Sequence, residues 1–259
     1  MDWQRGPTKA TMKSTAEIQV PEGYMFTGPK GTKIMLEAMG NPTGGRELGL
    51  LAPTNLHWFV VFEFNDTGYV KDDDKDKLDP DKMLAAFKKA NEYGNEQRRK
   101  MGAAALNITG WEQQPKYNEE THNLEWAIRA ESEGSPIVNY NTRLLGRKGV
   151  MEVSLVVEPD KLSATLPTYQ GLLKDYSFTA GETYAEYRKG DKLAQYGLAA
   201  LITGGAVAVA AKTGLLTAFL LFFKKAWKLL IVGVVAVFSF FKRLIFGRGA
   251  RSDTSADGQ

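Results

Sequence analysis

The chain has 259 residues, with 33 Lys or Arg against 30 Asp or Glu, two His and no Cys, which excludes disulfides, thiolate metal sites and cysteine nucleophiles. The charge is unevenly placed: residues 193–259 hold eight basic and two acidic side chains, +6, whereas residues 1–192 hold 25 and 28, −3. A mildly acidic N-terminal part lacks the basic patch that a phosphate backbone demands, so no nucleic acid partner is expected. Residues 1–180 read as one soluble α+β domain, an antiparallel sheet with flanking helices. The opening MDWQRGPTKATMKST is polar and has no apolar signal core. GTKIMLEAMG (31–40) reads as a short helix, followed by the glycine-rich turn region GNPTGGRELG. WFVVFEFND (58–66) is a strand apolar on both faces, which predicts a central place in the sheet. Asp79-Pro80-Asp81 announces a helix by an N-cap and a proline at the first helical position, with Met83, Leu84, Phe87 and Ala90 on one stripe. HNLEWAIRAES alternates, placing Leu124, Trp126, Ile128 and Ala130 on one side. SPIVNYNTRLLG and GVMEVSLVVEP form a hairpin through Gly146-Arg147-Lys148-Gly149. A second helix over about 160–175 presents Leu162, Leu166, Tyr169 and Leu173, with Pro167 expected to bend or restart it.

Several stretches carry a resemblance. Trp3, Gly6-Pro7, VPEGYMF, LEAMGNP, WFVVFEF, GYVKDDDKDKLD, HNLEW, VNYNTRLLGRKGVM and GDKLAQYGL together resemble a bacterial family of uncharacterised membrane-anchored proteins, classed as a domain of unknown function. The resemblance spans nearly the whole chain and implies a secretory signal and a periplasmic domain. It implies no activity, cofactor or catalytic residue. The order of elements, closing on a helix and the aromatic strand of LLKDYSF, is also similar to the PsbP and Mog1 type of α/β/α sandwich, which bears on fold alone.

The acidic run DDDKDKLDPD (72–81) is the first candidate site. Asp72, Asp74 and Asp76 match the opening ligand positions of a calcium loop, but Lys77 replaces the turn glycine and Met83 stands where a bidentate Glu belongs. A solvated loop leading into the Asp79-capped helix is the competing reading. His57 and His122 fall in different segments and show no metal spacing. No nucleophile elbow, phosphate loop or dinucleotide fingerprint occurs. Glu63, Glu125 and Glu131 could serve acid–base chemistry only if the fold brought them together. Arg143, Arg147 and Lys148, at the hairpin tip, form a candidate patch for an anionic partner or lipid headgroup, against the plainer reading of a soluble turn. Trp58, Trp111 and Trp126 belong with the core. No catalytic residue, metal or cofactor is assigned.

After a connector at 181–192 comes the apolar tail, 193–246. GLAALITGGAVAVAAKTGLLTAFLLFF (197–223) is charged only at Lys212, and a first membrane crossing is expected over about 195–220. Ala200, Gly204 and Ala208 continue at a spacing of four into Lys212, a stripe suited to close helix packing. With no acid between Lys192 and Asp253 to pair it, Lys212 is read as snorkelling to the headgroups. Lys224, Lys225, Trp227, Lys228, Lys242 and Arg243 bracket a second apolar segment at 229–241, and their charge places the C-terminal side in the cytoplasm. Residues 247–259 read as disordered. The expectation is a bacterial inner-membrane protein whose periplasmic domain binds, senses or scaffolds. Its tail would contact lipid and associate with itself or another membrane protein. A carboxylate-dependent hydrolase and an oligomeric pore are the alternatives.

Overall fold

The computed structural model describes residues 1–38, 43–100, 104–132 and 134–203. Its frame is an antiparallel sheet of eight strands. In spatial order they are β1 (Gln4–Arg5), β4 (Tyr24–Thr27), β5 (Glu47–Pro53), β6 (Phe59–Asn65), β10 (Val150–Val156), β9 (Ser135–Leu145), β8 (Asn123–Ser132) and β7 (Asn107–Asn118). β6 lies inside the sheet, as its two apolar faces require. The hairpin of β9 and β10 turns through residues 146–149, where the Gly146 N–H donates to the Gly149 carbonyl.

Alternation gives the sheet two different faces. On the front, Val60, Phe62, Tyr140, Met151, Val153 and Leu155 meet a second layer. That layer is a three-stranded sheet in the order β11 (Tyr176–Phe178), β3 (Ala16–Val20), β2 (Thr8–Met12), together with α3 (Leu162–Lys174). AEIQV, with Ala16, Ile18 and Val20 buried and Gln19 exposed, carries the strand alternation that could have announced this layer. α3 runs continuously across Pro167, so the proline does not restart the helix as one expectation had it. Its Leu162, Thr165, Tyr169 and Leu172 are buried, and this packing outweighs the single N–H that proline removes.

The back face is covered at its two ends. α1 (Pro29–Ala38) lays Met35 and Leu36 over Leu50, Ala52, Phe59 and Val61. At the other end α2 (Pro80–Lys100) and α4 (Leu198–Thr203) bring Met83, Phe87, Leu198, Leu201 and Ile202 onto Leu124, Trp126 and Ile128 of β8. The side chain of Asp79 accepts from the Lys82 N–H at 3.1 Å, the expected cap of α2.

The fold does not stop at residue 180. The stretch 181–203 closes over the back face, with Leu193 bridged in parallel to Tyr69 and Leu198, Ala200, Leu201 and Ile202 buried. This corrects the expected start of a crossing near residue 195: the first apolar residues of that run satisfy their hydrophobic surface within the domain itself. Ala200, assigned to a membrane packing stripe, is buried here within α4. Gly204, Ala208, Lys212, Lys224, Lys225, Trp227, Lys228, Lys242 and Arg243 lie outside the described residues. Among the described residues no helix is long and apolar enough to cross a membrane.

Candidate functional site

The middle of the back face, between α1 and the α2–α4 pair, is polar. Strand register sets Glu47 of β5 opposite Glu63 of β6, Glu63 opposite Glu152 of β10, and Glu152 opposite Arg143 of β9. Four ionisable side chains therefore form one row across four neighbouring strands. Glu47 and Glu63 are each 4% exposed and Arg143 is 8% exposed. Arg46, just before β5, adds a second guanidinium 3.4 Å from the Glu152 Oε1 and 4.0 Å from the Glu63 Oε1. Arg143 Nη2 lies 3.7 Å from Glu152 Oε2, and its guanidinium sits 4.9 Å from the centre of the Trp126 ring. The Asn65 side-chain amide donates to Glu152 at 3.0 Å, and the Gly44 N–H donates to Glu47 at 2.6 Å.

The two inner carboxyls of the row are driven apart. Burial, then the charge of Glu152, push Glu63 up to about 8, against the opposing pull of Arg46 and Arg143. Burial also works to raise Glu152, but Arg143, Arg46 and the Asn65 hydrogen bond together hold it below the ordinary glutamate range. The Glu63 Oε1 is buried without a hydrogen-bond partner, as are the Asn141 Oδ1 and the Trp126 Nε1 on the neighbouring cross-strand pair. A buried acceptor left unbonded is costly, which gives a proton on Glu63 an added advantage.

A second feature lies at the end of the sheet where β7 turns into β8. An open cleft of about 780 Å³ is bounded by the turn at 118–123, the C-terminal half of α3 and β11. Its apolar wall includes Leu144, Leu173, Tyr176, Phe178 and Tyr184, and Lys116, His122, Gln170 and Lys174 also line it. Lys116 and Lys174 are exposed and join no ion pair among the described residues. His122, at φ +52°, stacks 4.4 Å from Tyr184, and its Nδ1 lies 3.0 Å from the Tyr117 hydroxyl. That hydroxyl donates to Asp72 at 2.9 Å. Burial and the adjoining Asp72 raise the Tyr117 phenol far above its ordinary range, so it is a fixed donor rather than a nucleophile. Burial likewise raises the Tyr184 phenol, which donates to the Val70 carbonyl at 3.0 Å.

The structure disperses most of the residues singled out from the sequence. Asp72 goes to Tyr117, whereas Asp74 accepts from the Leu198 N–H at 3.1 Å at the start of α4. A short 3-10 turn, Lys75–Lys77, occupies the segment, and the described residues contain no group of three metal-ligating side chains arranged around a common point. His57 precedes β6 at the end where Phe59 faces Val156, while His122 sits at the opposite end beside Leu145. Glu125 points to the front and accepts from Tyr140 at 2.9 Å, and Glu131 lies six residues further along the same strand. Neither joins Glu63.

The patch of Arg143, Arg147 and Lys148 also requires correction. Arg143 is a strand residue buried in the row, because its position in β9 turns it inward. Arg147 grips Asp191 through two hydrogen bonds of 2.7 and 2.8 Å, holding that carboxyl down at about 2. Lys148 is paired with Glu182. All three cations are thus neutralised within the chain. Glu47 and Glu152 were missed because an isolated Glu in an alternating strand reads as solvent-facing.

One solved structure with a similar arrangement is the cyanobacterial PsbP protein, CyanoP, from Synechocystis sp. PCC 6803, at 12% sequence identity and a TM-score of 0.41, covering 68% of this chain and 92% of that one. No curated protein matches the sequence. The family described as protein of unknown function (DUF2167) matches residues 4–236, and the chain belongs to that family.

Proposed function

We propose that this chain is a bacterial envelope protein held in the inner membrane by its apolar tail, whose periplasmic domain binds a small amphipathic molecule bearing an anionic group. The observation that carries the binding role is the cleft beside α3 and β11. Its volume of about 780 Å³ falls within the range of small-molecule sites, and it pairs an aromatic wall with two lysines that join no ion pair among the described residues. Leu173, Tyr176 and Phe178 offer apolar surface for the body of such a molecule, while Lys116, Lys174 and the Gln170 amide offer donors to an acidic head. The anchoring role rests on the sequence of residues 204–223, which hold a single charge at Lys212, and on the lysines that follow them.

Thermal unfolding in the presence of aromatic and medium-chain carboxylates, each beside its uncharged amide, tests the binding role. The carboxylates should raise the midpoint in a concentration-dependent way, and Lys174→Ala should reduce the shift. Equal shifts from acid and amide would remove the anionic requirement. Absence of any shift across both series would remove the cleft as the binding site.

A further inference from the structure

The ring of His122, a residue lining the cleft, is fixed by its neighbours in one hydrogen-bonding state. The Tyr117 hydroxyl has a single proton and gives it to Asp72, a carboxylate that only accepts. The 3.0 Å bond between that hydroxyl and His122 Nδ1 must then take its proton from the ring. The neutral imidazole therefore carries hydrogen on Nδ1 and a bare lone pair on Nε2. Nε2 has no hydrogen-bond partner among the described residues, and the side chain is 32% exposed.

Three elements pack against this ring. Tyr117 comes from β7, Tyr184 stacks on it from the closing stretch, and Asp72 lies 3.9 Å from Nδ1 in the loop that follows β6. Burial keeps both phenols protonated, so Asp72 is the charge among these three, and it favours an imidazolium. Lys116 and Lys174, which line the same cleft, oppose one. Glu120 and Glu125 line it too, and Glu125 is engaged by the Tyr140 hydroxyl. An anionic head set between the lysines cancels their opposition, and it repels the lone pair of a neutral Nε2. A proton on Nε2 turns that repulsion into a charge-assisted hydrogen bond.

We propose that His122 is a proton-taking contact of the cleft, receiving an anionic head through Nε2 of the imidazolium, so that each anion enters with one proton from solvent. The Nδ1 hydrogen and the Tyr117 proton stay where they are. This rests on the reading of the cleft as an anion site, and it adds regulation: the anion is held in acidic surroundings and released as they turn alkaline.

Nitrogen-15 NMR of the histidine-labelled full chain in detergent at pH 8 tests the proposal, with 3-phenylpropionate and its amide as probes. His57→Gln leaves His122 as the sole imidazole. Without a probe the ring should be neutral and protonated at Nδ1. The carboxylate should convert it to the imidazolium, whereas the amide should leave it neutral. Calorimetry in buffers of different ionisation heat should count close to one proton taken up per anion, with affinity falling by up to ~10-fold per pH unit above pH 7. His122→Asn, which tolerates the left-handed backbone at φ +52°, should take up no proton and bind the carboxylate about tenfold more weakly. A carboxylate that raises the thermal midpoint while the ring stays neutral would overturn the proposal and leave the binding role of the cleft standing. No midpoint shift with either probe would overturn both. Full proton uptake in His122→Asn would also sink it, by assigning the proton to another group, and a free ring protonated at Nε2 would overturn the hydrogen-bond chain from Asp72.

Discussion

Arg143 shows how a single residue serves two purposes on the back face. Its guanidinium lies over Trp126 and beside Glu152, so charge and planarity both matter. Arg143→Leu leaves Glu152 buried with only Arg46 nearby and should cost about 3–5 kcal/mol. Arg143→Lys keeps the charge but loses the flat stack, and a smaller cost is expected; equal losses in urea denaturation of the two variants would show that the stack contributes little. Glu63 gives a pH dependence of opposite sign to that of most acids. Its folded value of about 8 stands above the ordinary 4.5, so its contribution to stability is complete below 4.5 and is lost as pH climbs through about 8. Urea midpoints should therefore decline from pH 6 to pH 8 in the wild type, and the Glu63→Gln variant should lose that slope. An unchanged slope in the variant would assign the titration to another group.

Among the elements, the closing segment 181–203 and the helix α3 are held in different ways. α3 depends on buried side chains, which is why Pro167 interrupts a hydrogen bond without interrupting the helix. The closing segment depends on close backbone approach. A methyl group at Gly68 would meet the Lys192 carbonyl at 2.6 Å, and the residue has φ +96°, a conformation that favours glycine. At Gly197 an added methyl group would meet the Asp74 carboxylate at 2.5 Å. Gly68→Ala should thus unseat the segment at the Tyr69–Leu193 bridge while leaving the sheet folded. Limited trypsin digestion should then cut faster at Lys189 or Lys192 than in the wild type. Unaltered cleavage there would mean that the bridge at Tyr69 does not limit opening.

At the scale of the molecule, the large sheet separates two environments. The front holds an apolar core and ends in the cleft; the back holds the charged row. The cleft thus lies at the end of the sheet, apart from the charged row in the middle of the back face. The natural lack of cysteine makes the proposed topology testable by labelling. A Lys30→Cys variant, exposed on α1, should react with a membrane-impermeant maleimide in intact cells when an export signal precedes the chain. Ser255→Cys should react only after permeabilisation. The reverse pattern would refute the periplasmic placement of the domain.

The elements that sequence determined are those whose information is local. The alternation of HNLEWAIRAES, the glycines of the β9–β10 turn and the Asp79-Pro80 helix start were legible because period and turn chemistry act within a few residues. The calcium reading of Asp72, Asp74 and Asp76 and the patch of Arg143, Arg147 and Lys148 depended on neighbours that sequence does not display; tertiary structure sends Asp72 to Tyr117, Asp74 to the start of α4, Arg143 to Glu152, Arg147 to Asp191 and Lys148 to Glu182. The same holds for the row of Glu47, Glu63, Glu152 and Arg143, brought together from positions up to 105 residues apart by strand register alone. Register arises from the whole sheet packing at once, so only the folded chain decides which buried charges share a space. It also decides that Leu198, Leu201 and Ile202, indistinguishable by hydropathy from membrane residues, lie against α2 and β8, because apolar surface is satisfied equally by a protein core and by lipid.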